Sequence, residues 1–160
     1  MVVSDFLSHS AGANPDREAV VCAGRRLTYA ALAERAARLS HGLLDLGLHR
    51  RERVAIHLAN SVEAVVAIFA VLQAGAVVVV LSQLLKPRKV AAILDDSGAA
   101  VMLTDSPIGV HSAEASPAVR HIVTCGSAIA TAPDPVATQH TPLGSLIDQV
   151  SEAAPGGRCR

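Results

Sequence analysis

The chain lacks tryptophan and has one tyrosine and two phenylalanines among 160 residues, so it offers no row of aromatic platforms for stacking single-stranded bases. It also lacks a surplus of either charge. Fourteen Lys and Arg balance fourteen Asp and Glu, and without a basic excess there is little to neutralise a phosphate backbone. Nucleic acid is therefore not expected as a partner. Cysteine is scarce: Cys22, Cys125 and Cys159 are odd in number and widely spaced, without a Cys-x-x-Cys, which gives neither a disulfide framework nor a zinc site. The seven histidines never fall at His-x-x-x-His spacing and no acidic cluster accompanies them, so they read as surface or satisfied core residues and no metal site is expected. Before the first apolar residues there is no basic stretch, hence no secretory signal, and a cytoplasmic protein is the expectation.

Catalytic signatures are missing too. The glycines are dispersed, and neither G-x-G-x-x-G, G-x-x-x-x-G-K-[ST] nor the nucleophile elbow G-x-S-x-G occurs. Lys86, Arg88 and Lys89 make a small basic cluster at a helix start, which reads as a solvated face. No catalytic residue is expected, and no cofactor-binding residue can be named. One long hydrophobic run is present, Ala64 to Leu81, with Gln73 its only strongly polar member. Gly75 divides it into a helical half and Val77-Val78-Val79-Val80, a β-branched run that suits a strand buried on both faces, so no membrane span is expected.

With 51% hydrophobic residues the chain can bury a core. Ala19 to Cys22 and Arg26 to Thr28 flank Ala23-Gly24-Arg25 as a hairpin would. Thr28 stands before a helix with Leu32, Leu39, Leu43 and Leu46 on one stripe, ended by Gly47. Arg53 to Ala59 reads as a strand. Asn60, with Glu63 three residues on, has the spacing of a helix cap, and the helix it starts presents Val62, Val65, Val66, Phe69 and Leu72. A further helix opens on Pro87, carries Val90, Ile93 and Leu94, and stops at Gly98 before the strand Ala99 to Leu103. A short helix around Ser112 to Ser116 and a strand at His121 to Thr124 follow. Strands alternating with helices predict an α/β fold, a mainly parallel sheet flanked by helices. The expected division is residues 1–125 as this α/β unit and residues 126–160 as a loop-rich tail with a weak helix from Leu143 to Val150. The last residues, Pro155-Gly-Gly-Arg-Cys-Arg160, have the composition of a chain end after truncation or a change of reading frame.

The order Asn14-Pro-Asp16, Gly24-Arg-Arg-Leu-Thr-Tyr29, Leu44-x-x-Gly47-Leu48, Leu58-x-Asn60-Ser61-x-Glu63, Ala67-x-x-Ala70-Val71-Leu72-x-Ala74-Gly75-Ala76 and Ile93-Leu94-x-Asp96-Ser97-Gly98-Ala99 resembles the N-terminal portion of AMP-forming acyl-CoA synthetases, the adenylate-forming (AMP-binding) superfamily. The resemblance runs from Asn14 to about Asp105. It departs where the family commonly has Val-Pro-Leu-Asn-Pro and this chain has Val79-Val80-Leu81-Ser82-Gln83. It implies an incomplete N-terminal subdomain of an enzyme that activates a carboxylic acid with ATP and magnesium to acyl-AMP and transfers the acyl group to CoA. The family's phosphate loop, ribose-binding Asp and catalytic Lys have no counterpart in this sequence, so the chain alone is expected to bind none of these cofactors and to be inactive. The resemblance sets the CoA site near loops corresponding to Ser82 to Lys86 and Ser106 to His111. The implied partner is the missing C-terminal remainder or a second copy in a homodimer. The alternatives are a non-catalytic interaction module and an unrelated Rossmann-like small-molecule binder.

Overall fold

Before the sheet, the chain folds a helix and a small ribbon. In the computed structural model, which describes residues 3–125 and 139–149, α1 (Val3–Ala13) leads to an antiparallel hairpin of β1 (Glu18–Cys22) and β2 (Arg25–Thr28). The two turn residues, Ala23 and Gly24, sit at φ +49° and +79°, as a two-residue type I′ turn requires. The hairpin matches its sequence signal. Thr28 caps α2 (Tyr29–Asp45), its Oγ1 accepting the Ala31 N–H at 3.2 Å, and Leu32, Leu39 and Leu43 are buried as the stripe predicts.

Three crossovers follow: β3 (Arg53–His57), α3 (Val62–Gln73), β4 (Val77–Val80), α4 (Pro87–Ser97), β5 (Ala99–Thr104), α5 (Pro107–Glu114) and β6 (His121–Thr124). Then come β7 (Gln139–Pro142) and α6 (Leu143–Gln149). The sheet order is β4-β3-β5-β6-β7 and every pairing is parallel, so the expected parallel α/β sheet is the observed one. Alternation along the strands divides the core. Val54, Ile56, Val101, Leu103 and Val123 face α2 and α3, while Ala55, Met102 and Ile122 face Val90 and Leu94 of α4 and Ala113 of α5. Helices thus cover both faces. Among the described residues no helix is long and apolar enough to cross a membrane.

Several local expectations need correction. The cap of α3 is Ser61, whose Oγ accepts the Ala64 N–H at 3.2 Å; Asn60 stands one residue too early. Both are good cap residues, and backbone direction at the end of β3 decides between them. The buried face of α3 is Val62, Val66, Ala67, Ala70 and Val71, with Val65, Phe69 and Leu72 half-buried beside it. β4 is not buried on both faces: it is an outer strand, with Val77 45% and Val80 66% exposed. Here the run of valines reflects strand propensity more than burial. α5 begins at Pro107, several residues before the helix expected near Ser112, because Ser106 caps it and Pro107 starts it. α1 and β7 had no sequence signal. The loop composition noted after Cys125 falls on 126–138, and the tail from 150 on, both outside the described residues.

Candidate functional site at the C-terminal edge of the sheet

β3 pairs with β4 on one side and with β5 on the other, so the crossover from β3 to β4 runs one way along the sheet and the next, from β4 past β3 to β5, runs the other. In an open parallel sheet the loops separate at such a reversal and leave a crevice beyond the strand C-termini. The groups gathered there are His57 from the end of β3, Gln83 from the segment after β4, and Asp105 and Ser106 from the segment after β5.

They form one network. Asp105 accepts the Ala59 N–H at 2.9 Å on one oxygen and the Gln83 side-chain N–H at 2.7 Å on the other, and the same Gln83 nitrogen donates to the His57 carbonyl at 2.8 Å. Gln83 thereby ties the ends of β3, β4 and β5 together, at the position where the family pattern is broken. His57 is fully buried. Its Nδ1 lies 3.2 Å from Ser106 Oγ and 3.4 Å from Thr104 Oγ1, while Nε2 has no hydrogen-bond partner of good geometry. Burial lowers the His57 pKa below the usual imidazole value, against the Asp105 carboxylate and the nearby Ser82 backbone, which favour the charged form.

Two cavities flank the network. One, of about 450 Å³, is lined by Arg25, Ser61, Glu63, Asp105, Cys125 and apolar residues of α6. Arg25 closes on Glu63 at 2.7 Å, bringing the hairpin onto the start of α3. Burial alone would raise the Glu63 pKa; the Arg25 guanidinium, its own backbone N–H and Ser61 outweigh it and hold the carboxyl low. Burial, with Asp105 and Glu63 adding to it, pushes the Cys125 thiol up to about 12, so at neutral pH it is a protonated thiol and no nucleophile. The other cavity, of about 500 Å³, lies under Val80, Leu81, Leu84, Leu58 and Asn60.

These residues do not fit ATP with magnesium. The carboxylates at the first cavity repel a triphosphate, and the cation beside them, Arg25, is already paired. Among the described residues there is no group of three or more His, Cys, Asp or Glu that could hold a metal ion. Lys86, Arg88 and Lys89 are exposed, and the structure brings none of them into the network. Sequence reasoning missed His57, Gln83 and Asp105 as a set, since they meet only through strand order. The available signal was a histidine directly after the apolar run Val54-Ala55-Ile56.

A family model described as AMP-binding enzyme matches residues 7–153. Triostin synthetase I of Streptomyces triostinicus is 38% identical over 130 residues, covering 79% of this chain and 25% of that protein. The medium/long-chain-fatty-acid–CoA/3-oxocholest-4-en-26-oate–CoA ligase of Mycobacterium tuberculosis (strain ATCC 25618 / H37Rv) is 39% identical over 77 residues, 48% of this chain and 14% of that protein. Among solved structures, a benzoate CoA ligase from Burkholderia xenovorans LB400 superposes with a TM-score of 0.75 at 25% identity, over 92% of this chain and 28% of that one. The chain therefore spans a quarter or less of the length of the two curated relatives.

Proposed function

The chain belongs to the AMP-binding enzyme family, and from that premise we propose that it is the N-terminal portion of an AMP-dependent acid–thiol ligase. The observation that carries this reading is the family match over residues 7–153, lying on a parallel sheet whose crevice is built from short polar contacts and not from nucleotide-binding groups. The complete enzyme would activate a carboxylic acid with ATP to an acyl-adenylate and pass the acyl group to CoA. This chain's part is the scaffold: it orders the ends of β3, β4 and β5 through Gln83 and Asp105, and it presents that edge to the remainder. No residue of the chain is assigned a catalytic role. By itself the chain is inactive, and its free Cys22 and Cys125 suit the reducing cytoplasm as its place of work.

A second reading, a non-catalytic module that pairs with another chain or a second copy, is favoured by one observation. β4 is an uncharged, proline-free outer strand with Val77 and Val80 exposed, the kind of edge that natural sheets usually protect. Complementation separates the two. The benzoate CoA ligase is expressed without its counterpart of residues 7–153 and mixed with the 160-residue chain. Recovery of acid-dependent adenylate formation supports the scaffold reading. A tight complex that stays inactive supports the interaction module.

A further inference from the structure

We propose that the first turn of α5 is a pH-operated catch on the C-terminal edge of the sheet: protonation of His57 unseats Ser106 to Gly109 and opens the crevice between β3 and β5.

The geometry begins with one hydroxyl. Ser106 Oγ accepts the Gly109 N–H at 3.1 Å as the cap of α5, which leaves its own proton free for His57 Nδ1, 3.2 Å away. Nδ1 is then an acceptor, and the imidazole is neutral with its proton on Nε2. Protonation turns Nδ1 into a donor aimed at the same oxygen that already receives Gly109, so the hydroxyl must turn its own proton away from the ring and take two donors, the cap N–H and the charged imidazole, on one oxygen. The new charge also stands against the start of α5, the positive end of the helix dipole. There is no room to relax in place. A Cβ at Gly109 would run into Thr104 Oγ1 and stand 2.9 Å from His57 Nδ1, so the helix lies on the imidazole at backbone distance.

The surroundings compensate the charge only in part, through the Asp105 carboxylate and the Ser82 backbone, and burial outweighs both. From β5 and the residue after it come Thr104 and Asp105, whose oxygens are occupied by Ala59 and Gln83. From α5 come Ser106 and Gly109; of its titratable side chains, His111 is exposed and Glu114 lies 3.4 Å from His140. The charged side chains at the start and along α4, Lys86, Arg88, Lys89, Asp95 and Asp96, are exposed, with Asp95 accepting from Ser116 Oγ, and from the segment after β4 the Ser82 backbone approaches His57. Burial therefore opposes ionisation of His57, and when acid forces it, the weakest neighbour yields. That neighbour is the single capped turn of an eight-residue helix.

Amide hydrogen exchange of the full chain, corrected for intrinsic rates, tests the catch. Between about pH 7.5 and about pH 5 the protection of the Gly109 and Val110 amides should fall by about tenfold or more, while that of Val90 and Leu94 in α4 changes far less. In His57→Gln, whose uncharged amide oxygen accepts from Ser106, the selective fall should vanish. Unchanged protection in the wild type, or an equal fall in the variant, overturns the proposal. If the variant does not fold, NMR titration of the wild type decides: His57 ionisation and loss of the Gly109 amide contact must share one midpoint, and ionisation with Gly109 undisturbed overturns the proposal.

Discussion

At the scale of single residues, small groups hold the C-terminal edge of the sheet, and their replacement should be costly in an ordered way. Ser61→Ala removes the cap of α3 and should cost about 1 kcal/mol, whereas Asn60→Ala, whose side chain is exposed, should be close to neutral. Urea midpoints of the two variants decide this, and the reverse order would restore Asn60 as the cap. Gly109→Ala drives a methyl into Thr104 and the imidazole of His57, and overpacking of this kind costs about 1–3 kcal/mol. The thiols differ in the same way. Cys22 is half-exposed, while Cys125 is buried with its pKa raised to about 12, so alkylation at neutral pH should reach Cys22 far sooner. Peptide mapping after brief treatment would show it, and equal labelling would mean the floor of the first cavity is open.

At the scale of elements, the hairpin carries a correctable flaw. Ala23 holds a positive φ that Asn tolerates better, so Ala23→Asn should raise the urea midpoint by the equivalent of a few tenths to about 1 kcal/mol. A lower midpoint would mean that the turn is not of this type. Elements with their own punctuation were legible in the sequence: α2 between Thr28 and Gly47, α4 between Pro87 and Gly98, and the valine strand after Gly75. Elements made by their neighbours were not. β7, Gln139-His-Thr-Pro142, has little strand propensity and exists by pairing with β6, and in α1 Leu7 is the one residue buried among those whose burial is described. The site was the least legible part. His57, Gln83 and Asp105 are separated by more than twenty residues, and what joins them is the position of β3 between β4 and β5, which no local pattern encodes.

At the scale of the whole molecule, two histidines set the acid limit. Burial lowers the pKa of His57, and burial with Arg120 lowers that of His121, both from a usual value of 6.5. Above that value both are neutral whether folded or unfolded. Below it the unfolded chain takes up protons first, so the stabilisation present at neutral pH is lost as the pH falls through the folded-state values. The carboxyl of Glu52, held down mainly by the Arg120 guanidinium, adds a further loss only below about 4.5. Urea midpoints should thus begin to decline just below pH 6.5 and not only near the carboxylate range. A flat profile down to 4.5 would contradict these environments. The parallel sheet, its bare β4 edge and its polar crevice belong to a chain of the AMP-binding enzyme family in which, among the described residues, no group of three or more His, Cys, Asp or Glu could hold a metal ion; on the proposed scaffold reading the chain by itself holds neither triphosphate nor magnesium. Acid-dependent ATP–pyrophosphate exchange by the purified 160-residue chain alone tests that most directly: no exchange above background is predicted with any carboxylic acid, and robust exchange would contradict it.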